Sequence, residues 1–239
     1  MTPQGRRAAS DCLILWDIDK TLVDIGGISR EIYAEAFELV TGQALREMPD
    51  MAGKTDRELT LAALSFHGVT QPERSLEQFY DALAQIAVGR EDEIKRRGCR
   101  LPGAFEAMEA LDQPGVVQTV VTGNIRPIAE LKLRTFGLAE HIDFDIGGYG
   151  SDDDERAALV LLARERAAVK HGESAVRQLV VIGDTTYDIA GAKANDAIAI
   201  GVASGATTVE ELAAAGADAV LPSLVDTAAL LRLVLADVD

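Results

Sequence analysis

Six short apolar runs, each ending where glycine or polar residues begin, constrain this chain more than any other feature. They fall at 12–16, 116–121, 144–146, 179–182, 198–202 and 219–221, and helix-like stretches separate them. Uninterrupted apolar runs suit strands buried on both faces, as in a parallel sheet whose crossover helices cover both sides. The expected class is α/β, a Rossmann-like parallel sheet core with helices on both faces. With 239 residues, 48% of them apolar, the chain has ample material for such an interior. Ligands of open parallel sheets sit beyond the carboxyl ends of the strands. The residues just after each run are therefore the first place to look for chemistry.

One block breaks the alternation. From about Ile28 to Gly98 there is no strand-like run; Ile32, Ala36, Phe37 and Val40 share one helical face, and Thr55-Asp56-Arg57-Glu58 has the form of a capping box. A further helix is expected from Pro72 through Phe79, Leu83 and Ile86 to Gly98. Placed straight after the first strand, this block reads as an inserted α-helical cap at 26–100, with a core made of 1–25 and 101–239. Gly26, Gly27 and 101–103 are candidate hinges.

The formal net charge of -16 argues against a nucleic-acid surface, which needs clustered Lys and Arg. No window reaches the roughly 18 apolar residues of a membrane span, and nothing near the start reads as a signal peptide. The expected location is cytoplasmic, with no membrane or nucleic-acid partner; the oligomeric state stays open. Cys12 and Cys99 have no metal or redox spacing and are expected to be structural thiols, as are His67, His141 and His171 structural imidazoles.

Three strand ends carry candidate chemistry. After the first run, Asp17 and Asp19 stand at i and i+2, so both side chains point to one side. Close carboxylates have their pKa values driven apart and are suited to nucleophile and acid–base roles, although a D-x-D alone also fits a polar turn. After the 116–121 run, Thr122-Gly123-Asn124 offers a hydroxyl and approachable N–H groups for a phosphate, or an ordinary helix start. After the 179–182 run, Asp184 and Asp188 are suited to completing an all-oxygen magnesium site, or to capping a helix. All three would converge on one crevice.

Together these motifs resemble the haloacid dehalogenase superfamily, in its helical-cap phosphatase branch of phosphoglycolate phosphatase and β-phosphoglucomutase type. D-x-D-x-T-[LV] matches Asp17 to Leu22, the second-motif Thr matches Thr122, and G-D-x-x-x-D matches Gly183 to Asp188. The third-motif cation, usually in a Lys-Pro pair, has no such pair here; Arg156 fits best and Lys132 is its rival. Lys20 stands where the family commonly has Gly. Gly53-Lys54-Thr55-Asp56 resembles the family's substrate-facing cap loop, which makes Lys54, and Arg126 after the phosphate turn, candidate substrate contacts. Gly147 to Gly150 looks faintly like a dinucleotide loop, but Asp153 stands where its third glycine belongs.

The resemblance implies a Mg2+-dependent phosphatase acting on a small phosphorylated metabolite. Asp17 would be the nucleophile forming an aspartyl-phosphate and Asp19 the general acid and base. Thr122, Gly123, Asn124 and Arg156 would hold the phosphate, with Mg2+ on Asp17, Asp19 and Asp184 and Asp188 behind them. A sugar-phosphate mutase of the same superfamily is the enzymatic alternative. A non-enzymatic phosphoacceptor receiver module is the other, disfavoured by the helical insertion.

Overall fold

A computed structural model describes residues 12–235. The elements follow in chain order: β1 Cys12–Trp16, β2 Val23–Asp24, α1 Ile28–Thr41, α2 Asp56–Phe66, α3 Leu76–Gly89, α4 Glu91–Arg97 and β3 Cys99–Arg100. Next come α5 Ala104–Ala110, β4 Val116–Thr122, α6 Arg126–Thr135, β5 Gly148–Tyr149, α7 Arg156–His171, β6 Gln178–Gly183 and α8 Thr186–Lys193. The chain closes with β7 Ile198–Val202, α9 Val209–Ala214, β8 Ala219–Leu221 and α10 Thr227–Val234.

Six strands form one parallel sheet in the order β5-β4-β1-β6-β7-β8. Successive residues of β1 face opposite sides: Cys12, Ile14 and Trp16 pack in one apolar cluster, Leu13 and Leu15 in the other. Helices α7, α8 and α9 cover the second side, whereas α5, α6 and α10 contribute to the first. This double cover is why the strands read as unbroken apolar runs. Because β1 lies between β4 and β6, the connections leave it in opposite directions, opening a crevice at the carboxyl ends of these three strands.

The 144–146 run is not a strand. Phe144–Ile146 forms a 3-10 turn in which the Asp143 side chain accepts from Asp145 N. The sheet edge is instead the two-residue β5, whose Gly148 lies so close to α7 that a Cβ there would overlap the Leu159 carbonyl.

Between β2 and β3 every regular element of the described chain is helical, and these two short strands pair antiparallel, bracketing the helical insert. Its expected third helix is broken at Gly89 and Arg90 into α3 and α4, after a 3-10 turn at Pro72–Ser75. Glycine disfavours helix, and α4 restarts with Glu91, Asp92 and Glu93 in its first turn and Lys95, Arg96 and Arg97 in its last, complementing its dipole. The Arg90 guanidinium ties the break to α1 through Glu31 and through Glu35 at 3.0 Å. Phe37, Leu64, Phe79 and Leu83 of the insert join the same apolar cluster as Trp16 and Val180 of the sheet.

Candidate active site

The sheet gathers the three strand ends as the spacing required. Asp17 N donates to Ile182 O at 2.9 Å, continuing the β1–β6 ladder one residue past the strand, and its carboxylate is buried beneath the crevice. The chain then doubles back, with Lys20 N donating to Val23 O and Leu22 N to Ile18 O. Lys20 takes φ 65°, a left-handed conformation that costs an L-residue about 1 kcal/mol and costs glycine nothing. Its ammonium turns to Asp24 at 2.5 Å.

Arg156 opens α7 and is buried with Asp17 and Asp188. Nη1 lies 3.5 Å from Asp17 Oδ1, Nε lies 3.4 Å from Asp188 Oδ1, and Nη1 also donates to Val121 O at 3.0 Å. Lys132, on α6, is equally buried but serves a different carboxylate. Its ammonium donates to both Asp19 oxygens at 2.7 Å and to Asn124 Oδ1 at 2.8 Å, while Asn124 Nδ2 donates to Asp19 Oδ2 at 2.7 Å. The two cations that appear as rivals for one role in the sequence thus each hold one acid of the first motif.

Thr122 is fully buried at the end of β4. Its hydroxyl oxygen accepts from Asn124 N at 3.2 Å and Asn124 Nδ2 at 2.8 Å, which leaves its own proton for another acceptor. Asp188 combines two tasks. Its Oδ2 accepts from Thr185 N at 3.1 Å and Thr185 Oγ1 at 2.7 Å in the capping box that starts α8, while its buried Oδ1 has no hydrogen-bond partner.

Asp17, Asp184 and Asp188 each bring an oxygen within 4.8 Å of the others. Burial first, then the Asp188 charge, pushes Asp17 well above the usual carboxylate range, and the same two causes in that order lift Asp184 to about 7. Three buried acids against one guanidinium, one of them with an oxygen, Asp188 Oδ1, that accepts no hydrogen bond, fit a hard divalent cation such as Mg2+.

The insert meets this site through the turn at 122–124. Asp56 N donates to Gly123 O at 2.7 Å and Arg57 N to Gly150 O at 2.9 Å. The buried Asp56 carboxylate accepts from Ile125 N and Tyr33 Oη, both at 2.7 Å, and burial raises its pKa to about 6 against those donors. A Cβ on Gly123 would overlap the Lys54 carbonyl, and one on Gly150 would overlap the Gly123 carbonyl. Gly150→Ala is therefore expected to force insert and core apart, costing about 1–3 kcal/mol in urea denaturation together with most turnover. Unchanged stability and rate would show the contact to be dispensable.

Two expected substrate contacts fare differently. Lys54 lines the cavity, with its ammonium on Glu58 Oε1 at 2.6 Å; only the Thr55 half of the expected capping box forms, Glu58 N donating to Thr55 Oγ1. Arg126 is a correction. It turns outward to Glu130 at 2.7 Å and Asp145 at 2.8 Å and does not line the cavity, because those carboxylates flank it on the exposed side of α6. The sequence reading missed Asp56 as the link between insert and core, and it missed Thr21, whose Oγ1 lies 3.4 Å from Asp17 Oδ2 and 3.5 Å from Asp184 Oδ1. Thr21 was visible as part of the first motif; Asp56 looked like an ordinary first-turn acid.

The model of the haloacid dehalogenase-like hydrolase family matches residues 14–193, from β1 through α8. The chain belongs to that family. Among curated relatives of this hydrolase, a phosphoglycolate phosphatase of Agrobacterium fabrum is 24% identical over 203 residues, covering 82% of each chain. Of solved structures, CbbY from Rhodobacter sphaeroides in complex with phosphate superposes with TM-score 0.64 at 18% identity, covering 90% of this chain and 95% of the other. A hydrolase from Pseudomonas syringae gives 0.60 at 23%, covering 92% and 98%, and a putative β-phosphoglucomutase from Thermotoga maritima gives 0.57 at 20%, covering 93% and 99%. At these identities the superpositions establish the fold. No helix among the described residues is long and apolar enough to cross a membrane.

Proposed function

We propose that this hydrolase is a Mg2+-dependent phosphatase that cleaves a small phosphate monoester through an aspartyl-phosphate on Asp17. The carrying observation is the buried Asp17 carboxylate beside the Arg156 guanidinium, at the bottom of a cavity that also receives the Thr122 turn and Asp19. The likeness to a phosphoglycolate phosphatase and to a fold found with phosphate bound supports the same reading.

In the first step an Asp17 oxygen bonds to phosphorus as the bond to the leaving oxygen breaks, and Asp19 gives its proton to that oxygen. In the second, Asp19 takes a proton from water whose oxygen bonds to phosphorus as the bond from Asp17 oxygen to phosphorus breaks, releasing phosphate and restoring both acids. Arg156, the Thr122 proton and the Gly123 N–H face the phosphoryl oxygens as charge spreads over them. Lys132 and Asn124 orient Asp19 from behind. The ion would be held by the Asp17 and Asp184 carboxylates and the Asp19 backbone carbonyl, with Asp188 steadying the set; when bound it neutralises phosphoryl charge. The insert, with its boundaries near 26 and 100, acts as a cap that excludes water. Two free thiols, one of them exposed, suit a reducing cytoplasm, and the acidic surface suits a small metabolite better than nucleic acid or membrane.

The two cations separate by experiment. Arg156→Ala is expected to lower kcat/KM by about a thousandfold, because it removes charge from the phosphoryl oxygens and from Asp17. Lys132→Ala, acting through Asp19, is expected to lower kcat by about 10- to 100-fold and to reshape its pH profile, with little change in KM. The reverse ordering would make Lys132 the phosphate-binding cation.

A further inference from the structure

Between insert and core lies a cavity of about 370 Å³, within the range of small-molecule sites. One end is the acid cluster with Thr122 and Arg156. The rest is walled largely by Ile25, Ile32, Leu59, Ile94, Ile128 and Leu131, drawn from the β2–α1 connection, three helices of the insert and α6. Every cation on the lining already has a carboxylate of this chain: Lys20 has Asp24, Lys54 has Glu58, Lys132 has Asp19, and Arg156 lies against Asp17 and Asp188. The Tyr33 hydroxyl is committed to Asp56, and Asp24 and Asp56 are themselves on the lining.

A second anionic group on the substrate would have to leave water for apolar walls and the Asp56 carboxylate, with every cation among the described lining residues already beside a carboxylate of this chain. Several sugar hydroxyls would lose water in the same way, with Ser29 and Thr207 the uncommitted side-chain hydroxyls that the described walls beyond the acid cluster offer in exchange. An alkyl or aryl group has no such cost and gains from burial. Resting on the phosphatase reading, we propose that the preferred substrates are phosphate monoesters of uncharged, apolar alcohols, aliphatic or aromatic, and that neither carboxylate-bearing nor sugar phosphates are favoured.

The test pairs monoesters with analogues in which methylene replaces the bridging oxygen. With magnesium present, benzyl phosphate is expected to exceed both phosphoglycolate and glucose 6-phosphate in kcat/KM by about tenfold or more. By calorimetry on the same protein, phenethylphosphonate is expected to bind more tightly than 3-phosphonopropionate by a similar factor. Leu131→Lys, which places a cation on the apolar wall, is expected to narrow or invert both preferences. Equal or tighter binding of 3-phosphonopropionate to the unsubstituted protein, or faster turnover of phosphoglycolate or glucose 6-phosphate, overturns the proposal. If no monoester is hydrolysed while phenethylphosphonate still binds preferentially, the phosphatase reading falls and the assignment of the cavity stands.

Discussion

Asp17→Asn is expected to leave the fold intact and to lose at least about ten-thousand-fold in turnover of any phosphate monoester the protein accepts. The amide is nearly isosteric with the carboxylate, so the packing beneath the crevice and the backbone bond to Ile182 survive. What disappears is the proposed nucleophile. Replacing a charge that burial and the neighbouring Asp188 already disfavour also removes repulsion from the cluster, so the variant should unfold at the same or a higher temperature. A stable variant retaining a tenth or more of the activity would remove Asp17 from the chemistry.

Withdrawal of divalent cations is expected to have an effect of similar size. EDTA should abolish turnover and added magnesium should restore it, since Asp17, Asp184 and Asp188 face one another while Arg156 offers one positive charge among them. A second readout is independent of activity. An ion that binds the folded protein alone raises its stability by about 2.7 kcal/mol at a hundred times its Kd, so the thermal midpoint should climb with magnesium concentration. Asp184→Asn should flatten that dependence. Full activity in rigorously metal-free protein, or a midpoint indifferent to magnesium, would contradict the reading of the acid cluster.

The sheet was legible because burial on both faces leaves its mark as uninterrupted apolar runs, as in β1 and β6. The 144–146 run failed because Phe144 and Ile146 are apolar for a different reason, packing as a turn against the core, while the true edge β5 has only Gly148 and Tyr149 to show. The glycines around it resembled a nucleotide loop; the structure gives them packing roles, since Gly148 lies against α7 and Gly150 against the Gly123 carbonyl. The third helix was read through its break because Gly89 and Arg90 interrupt neither apolar periodicity nor charge pattern. The first and last motifs could be read because their spacing encodes strand-end geometry. Lys132 could not be given its place, since its partner Asp19 is 113 positions away and nothing local distinguishes a buried helical lysine from a solvated one. Arg126 looked equally suitable from its position after the phosphate turn, and only the carboxylates of Glu130 and Asp145 turn it away.

The central claim is the covalent intermediate, and it can be trapped. The protein, quenched during turnover of a good monoester and treated with borohydride, should yield homoserine in place of the aspartate of an acyl phosphate. Trypsin places Asp11, Asp17 and Asp19 on one peptide, residues 8–20, and fragmentation distinguishes them. Homoserine at position 17, absent when substrate is omitted and absent from Asp17→Asn, is the expected result. Steady hydrolysis with position 17 unmodified and homoserine at another aspartate would contradict the account.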